Sequence, residues 1–234
     1  MEYQIKGQTV PVVEFTLNRN ESLYTQSGGM VYQSNDIQMQ TNARGGVLAS
    51  IGRAFTGESI FMANYTATND NQKIAFAASV PGSIIPIDLA TLPQGIMLQK
   101  NAFLCAEQTV TTKVAFTKRF SAGLFGGEGF ILQHAQGSGK LFIEVDGDAM
   151  EFILKPGEVL KVDTGNVVAF SPTVAYEVEM VHGLGNILFG GEGLFHTKLV
   201  GPGKVIVQSQ NFREFANRII PYIPTKSNWS EDDE

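Results

Sequence analysis

Three glutamates share nearly one setting. The chain reads FGGEGF at Phe125–Phe130, FGGEGL at Phe189–Leu194 and FTGESIF from Phe55. Glu58 follows Gly57; Glu128 lies among Gly126, Gly127 and Gly129; Glu192 lies among Gly190, Gly191 and Gly193. In the first copy Ser59 stands where the others have glycine. Two chemistries fit this pattern. Three converging carboxylates could hold a cation, and oxygen ligands suit calcium or magnesium. Without a cation they would repel, and their pKa values would rise. Alternatively, each carboxylate accepts hydrogen bonds from nearby backbone N–H groups and locks a bend, while the glycines supply backbone angles closed to other residues. An isolated Gly-Glu-Gly has no intrinsic metal specificity, so the turn role is preferred. No metal and no cofactor is expected.

A second set keeps step with the first. Lys140 and Lys204 each lie 15 residues after the phenylalanine of their pentapeptide, and Lys73 lies 18 after Phe55. An apolar run follows each lysine: Ile74-Ala75-Phe76, Leu141-Phe142-Ile143 and Val205-Ile206-Val207. Three lysines on one rim would make a local basic patch. A P-loop reading of Gly139-Lys140 fails, because His134 stands where a glycine is required and Leu141 where Ser or Thr must meet magnesium. Gly203-Lys204 fails likewise, with Val205 next. Both read as hairpin turns entering a strand.

Other candidates carry less. Cys105 sits in the apolar run 102–106 and reads as a small buried residue. No histidine lies near it in sequence to activate it. His134, His182 and His196 fall at different phases of the repeat, and no pair has metal-helix spacing. Gly183-x-Gly185 lacks the third glycine and the βαβ setting of a dinucleotide fingerprint. Asp146-Gly147-Asp148 lacks EF-hand spacing and reads as a turn.

The elements that must position these residues also recur. Glu21–Tyr24, Gly95–Leu98 and Glu158–Lys161 fall in phase, followed by apolar stretches at 30–32, 102–104 and 167–170 and alternating segments at 37–40, 113–116 and 176–180. The spacing predicts three units, 1–82, 83–147 and 148–210, each a set of short strands punctuated by Gly, Asn, Asp and Pro. The fold class is all-β, a sandwich, barrel or β-helix, with three short-strand modules expected about a pseudo-threefold axis and forming one domain. One short helix is predicted over Asn211–Ile220, capped by Asn211 and stopped by Pro221 and Pro224, within a C-terminal extension at 211–226. An acidic tail occupies 227–234.

Bulk properties narrow the function. Of 234 residues, 43% are apolar and 17% charged, which fits a packed core. A net charge of −6 argues against a nucleic-acid binder, since phosphate neutralisation needs a basic face. One cysteine precludes an intramolecular disulfide. No run approaches the length of a membrane span, and the first residues carry neither a secretory signal nor an arginine-rich presequence. The expected compartment is the cytoplasm, and the three sequons at Asn20, Asn64 and Asn228 carry no weight there.

With these features laid out, the chain resembles the altered-inheritance-of-mitochondria protein 24 family and its bacterial relatives, a group without assigned chemistry. LFGGEGF at Leu124–Phe130, LFGGEGLF at Leu188–Phe195, GPGKVIVQS at Gly201–Ser209, FANRIIPYIP at Phe215–Pro224 and GGMVYQSNDIQMQT at Gly28–Thr41 carry the resemblance, which spans essentially the whole chain. It implies a fold similar to the subunit of the tryptophan RNA-binding attenuation protein, a short double-stranded β-helix repeated three times. It implies no established enzymatic activity. The RNA-contacting basic motif of that protein has no residue-for-residue match here.

Three functions are thus in play. The first is a non-catalytic binding or scaffold protein, with itself or another protein as partner and homo-oligomerisation expected. The second is a nucleic-acid regulator using Lys73, Lys140 and Lys204. The third is a metal-dependent or carbohydrate-directed enzyme using Glu58, Glu128 and Glu192. No catalytic residue is assigned.

Overall fold

The computed structural model describes residues 1–26, 28–42, 62–118, 130–180 and 195–223. They form an all-β protein with one short helix near the C-terminus. The repeated Gly-Glu stretches, with Glu58, Glu128, Glu192 and their glycines, lie outside the described residues, as do His182 and the acidic tail.

The strands fall into four antiparallel sheets. The first contains β1 (Glu2–Lys6), β2 (Val12–Leu17), β7 (Gln72–Ala77) and β4 (Met30–Gln33), in that order. The second runs β5 (Ile37–Asn42), β6 (Met62–Ala67), β3 (Ser22–Gln26), β10 (Phe103–Glu107), β13 (Lys140–Asp146), β8 (Gly82–Asp88). The third runs β11 (Val110–Lys118), β12 (Phe130–Gly137), β9 (Ile96–Gln99), β16 (Val167–Phe170), β19 (Gly203–Gln208), β14 (Ala149–Leu154). The fourth has β15 (Val159–Asp163), β18 (Phe195–Val200) and β17 (Ala175–Met180).

One pairing scheme recurs. β2 pairs with β7, β8 with β13 and β14 with β19. β4, β10 and β16 flank the other side of β7, β13 and β19. Each of these flanking pairs breaks register at the same place, between Met30 and Tyr32, Phe103 and Cys105, and Val167 and Ala169. A bulge repeated at one ladder position is a shaped feature of the strand and not an accident of packing. Likewise β3 pairs with β6, β9 with β12 and β15 with β18.

Side-chain alternation builds the core between successive sheets. Phe15 and Phe76 of the first sheet pack with Leu23, Tyr65, Cys105 and Phe142 of the second. Phe15 and Phe142 meet edge to face, with ring centroids 4.9 Å apart. Tyr24, Phe103 and Ile143 turn the other way, toward Ile96, Leu98 and Ile206 of the third sheet. Leu132, Phe170 and Val205 of the third sheet then pack on Val178, Phe195 and Leu199 of the fourth.

Gly137–Lys140 and Gly201–Lys204 are not hairpins. β12 and β13 belong to different sheets, as do β18 and β19, so each link is a corner carrying the chain from one sheet to another. The glycine demand at these corners is steric. Gly137 has φ of +139°, and a Cβ there would lie 2.1 Å from the Thr109 carbonyl oxygen.

Helix α1 (Phe212–Ile219) follows Asn211, whose side chain accepts from the N–H groups of Arg213 and Glu214. The Phe212 N–H donates to Asp146 at 3.1 Å. Phe212, Phe215 and Ile219 line one exposed helix face.

Candidate functional site

The structure places Lys73, Lys140 and Lys204 at matching positions. Each lies in the first two residues of the central strand of its group, opposite Thr16, Asp88 and Ile153 respectively. Each is clasped twice. The backbone N–H of Lys73 donates to Ser34 Oγ at 2.9 Å, that of Lys140 to Glu107 at 3.0 Å and that of Lys204 to Ser171 Oγ at 3.1 Å. The ammonium groups meet Glu14 at 3.4 Å, Asp88 at 3.2 Å and Glu151 at 2.7 Å, all on the neighbouring strand. Cations so neighboured offer less free charge to a phosphate chain than bare lysines would.

Glu14 has the densest set of partners. Lys6 donates to it at 2.8 Å, and the Tyr32 hydroxyl donates to its other oxygen. The Lys6 bond and then the Tyr32 bond hold the Glu14 carboxyl down at about 2, and the same contacts push Lys6 and Tyr32 upward. Asp88 is also held below its usual value, first by the Ala90 N–H that it caps and then by Lys140.

Glu144, not singled out in the sequence, and Asp146, read there as part of a turn, share a cleft of about 450 Å³. Glu144 and Asp146 line it with Gln26, Ser79, Phe103 and Phe212. Burial pushes both acids up, while Ser79 binds Glu144 through its N–H at 2.5 Å and its hydroxyl at 3.1 Å. The alternation Glu144-Val145-Asp146 after an apolar run was the available signal, since alternate residues share a strand face. A second cleft, about 730 Å³, runs beside β14 and β15 and is lined by Met150, Phe152, Leu160, Val162, Asp163 and His196. Among the described residues, no three His, Cys, Asp or Glu side chains gather as a metal-holding group.

Cys105 is fully buried at the junction of β10 with β3, facing Thr25 in the ladder. Burial first and Glu144 second push its thiol well above the ordinary value, which suppresses thiolate chemistry. His134 Nε2 lies 2.7 Å from the Gln94 carbonyl oxygen.

Two sheet edges contrast in exposure with their inner counterparts. Met30, Val31 and Tyr32 of β4 are 37%, 53% and 42% exposed, whereas the matching Phe103, Leu104 and Cys105 of β10 are 3%, 3% and 0%. β16 is wholly buried. β15 is also an edge, with Val159 49% exposed, while its counterparts β3 and β9 are largely buried. Natural edges usually carry charges or proline to prevent pairing. β4 has neither, reading Met-Val-Tyr-Gln.

The family described as Mitochondrial biogenesis AIM24 matches residues 3–210. The chain belongs to this AIM24 family. An uncharacterized Streptococcus pyogenes protein is 30% identical over 231 residues, covering 95% of this chain and 91% of the relative. The X-ray structure of a structural-genomics target from the same organism superposes with a TM-score of 0.77 at 27% identity, covering 95% of this chain and 99% of that one. No helix among the described residues of this AIM24 protein is long and apolar enough to cross a membrane.

Proposed function

We propose that this AIM24 protein is a non-catalytic binding or scaffold protein that associates with itself. The observation that carries this reading is the bare edge of β4: four exposed, uncharged residues on a strand whose two counterparts are buried. An open row of backbone donors and acceptors without guarding charge is a template for another strand. The recurrence of one pairing scheme supports a reading of three units, 1–82, 83–147 and 148–210. A rotation relating them closes on itself only if β4 meets β15, and these strands are edges of separate sheets.

The ion pairs of Lys73, Lys140 and Lys204, together with the net charge of −6, weigh against nucleic acid as the partner. Light scattering over a concentration series tests self-association, with a mass above 25.4 kDa expected. A strict monomer at all concentrations counts against it. A salt-dependent gel shift with mixed RNA and DNA would instead favour a nucleic-acid role.

A further inference from the structure

The partner of the β4 edge can be named more closely, on the self-association reading above. Two junctions inside the chain join one strand group to the next: β3 with β10, and β9 with β16, both antiparallel. Their registers agree. Cys105 faces Thr25 where Ala169 faces Leu98, and Ala106 faces Tyr24 where Phe170 faces Met97. A third junction of this kind would need β15 and β4. Both strands are present, and each is an edge among the described strands.

Their backbones have the required shape. β4 carries the same bulge as β10 and β16, which aligns Tyr32 with Cys105 and Ala169. β15 aligns with β3 and β9 through its partner strand, since Val162 faces Thr197 as Leu98 faces Gln133 and Thr25 faces Ala63. No described core cluster joins the first sheet to the fourth; they pack on the second and third instead. Among the described residues, the first and last strand groups therefore share no core.

We propose that the β15 edge of one copy receives the β4 edge of a second copy, antiparallel, with Tyr32 opposite Val162 and Gln33 opposite Lys161. The contact repeats the internal junctions between chains. It juxtaposes no like charges, because Lys161 already pairs with Glu179 at 3.1 Å and Gln33 is neutral. The two edges differ, so the contact is head-to-tail, and assembly continues until a ring closes or a filament grows.

Two single variants, Gln33→Cys and Lys161→Cys, are purified separately, mixed and oxidised, with a short bismaleimide run in parallel. Residues directly opposite in an antiparallel ladder bring their Cβ atoms within about 5.5 Å, within reach of either bond. Cys105 is fully buried, and the wild-type protein serves as its control. A covalent dimer formed only in the mixture is the expected result, and the Q33C/K161C double variant then gives a ladder of higher species. Val31→Lys, which puts a charge on the bare edge, is expected to weaken association at least about tenfold while leaving the melting temperature of the dilute monomer unchanged. An oligomer whose mixed cysteines do not cross-link overturns this junction and leaves self-association standing. A strict monomer overturns both. An intrachain bond in the double variant shows that the chain closes on itself, which also overturns the proposal.

Discussion

The inner junctions and the outer edges are built from the same parts and end in different states. Ala106 and Gln33 occupy one ladder position, set by the bulge before each. Ala106 is fully buried against Tyr24, whereas Gln33 is exposed. What separates them is the neighbour: β10 has β3 beside it, and no strand among the described residues pairs with the free side of β4. Burial at this position is thus a property of the junction and not of the strand sequence. A short apolar run becomes core only when another strand group arrives to cover it.

Substituting both positions alike tests this most sharply. Ala106→Lys places an unpaired charge in a closed junction and is expected to cost more than about 3 kcal/mol in urea unfolding. Gln33→Lys at the open edge should change the stability of the monomer by less than about 0.5 kcal/mol. Equal effects would break the comparison. Next in size is the aromatic contact between the first two sheets. Phe142→Ala removes a fully buried ring packed against Phe15 and should cost about 3–5 kcal/mol, read by the same titration.

The edge strand has a pH signature of its own. Tyr32 is tied to Glu14, whose carboxyl is lowered from 4.5 to about 2 by Lys6 and then Tyr32. The unfolded chain binds this proton more readily, so the stabilisation is fully present above about pH 4.5 and is lost as pH falls toward 2. Thermal melts of wild type and Glu14→Gln should converge across that window. Glu144 and Asp146, raised by burial, act in the opposite sense: the folded state holds their protons more tightly, and acid relieves them. The smallest effect belongs to the repeated lysines. Lys204→Ala breaks an ion pair whose two side chains are 43% and 49% exposed and should cost less than about 1 kcal/mol.

Much of the strand layout was readable from spacing. The 64 residues between Lys140 and Lys204 correspond to one shared place in two ladders. Asn211 was legible as a cap because its chemistry is local. Sheet membership was not legible. The glycines at 137 and 203 look like hairpin residues, but corner and hairpin demand the same positive φ, and only the distant partner strand tells them apart. The clasp on each lysine was hidden for a similar reason. Ser34 and Ser171 lie 39 and 33 residues from the lysines they bind, and nothing in either sequence neighbourhood marks the pairing. The bareness of β4 was invisible too, because Met30-Val31-Tyr32 reads like the buried runs at 103 and 167.

The lone thiol of the molecule sits where β10 meets β3. Any alkylating reagent must wait for that joint to part before it can react, so the rate of Cys105 modification is a clock for how often the first strand group loosens its hold on the second. Comparing that rate in dilute and concentrated protein would reveal whether neighbouring copies steady each other from a distance.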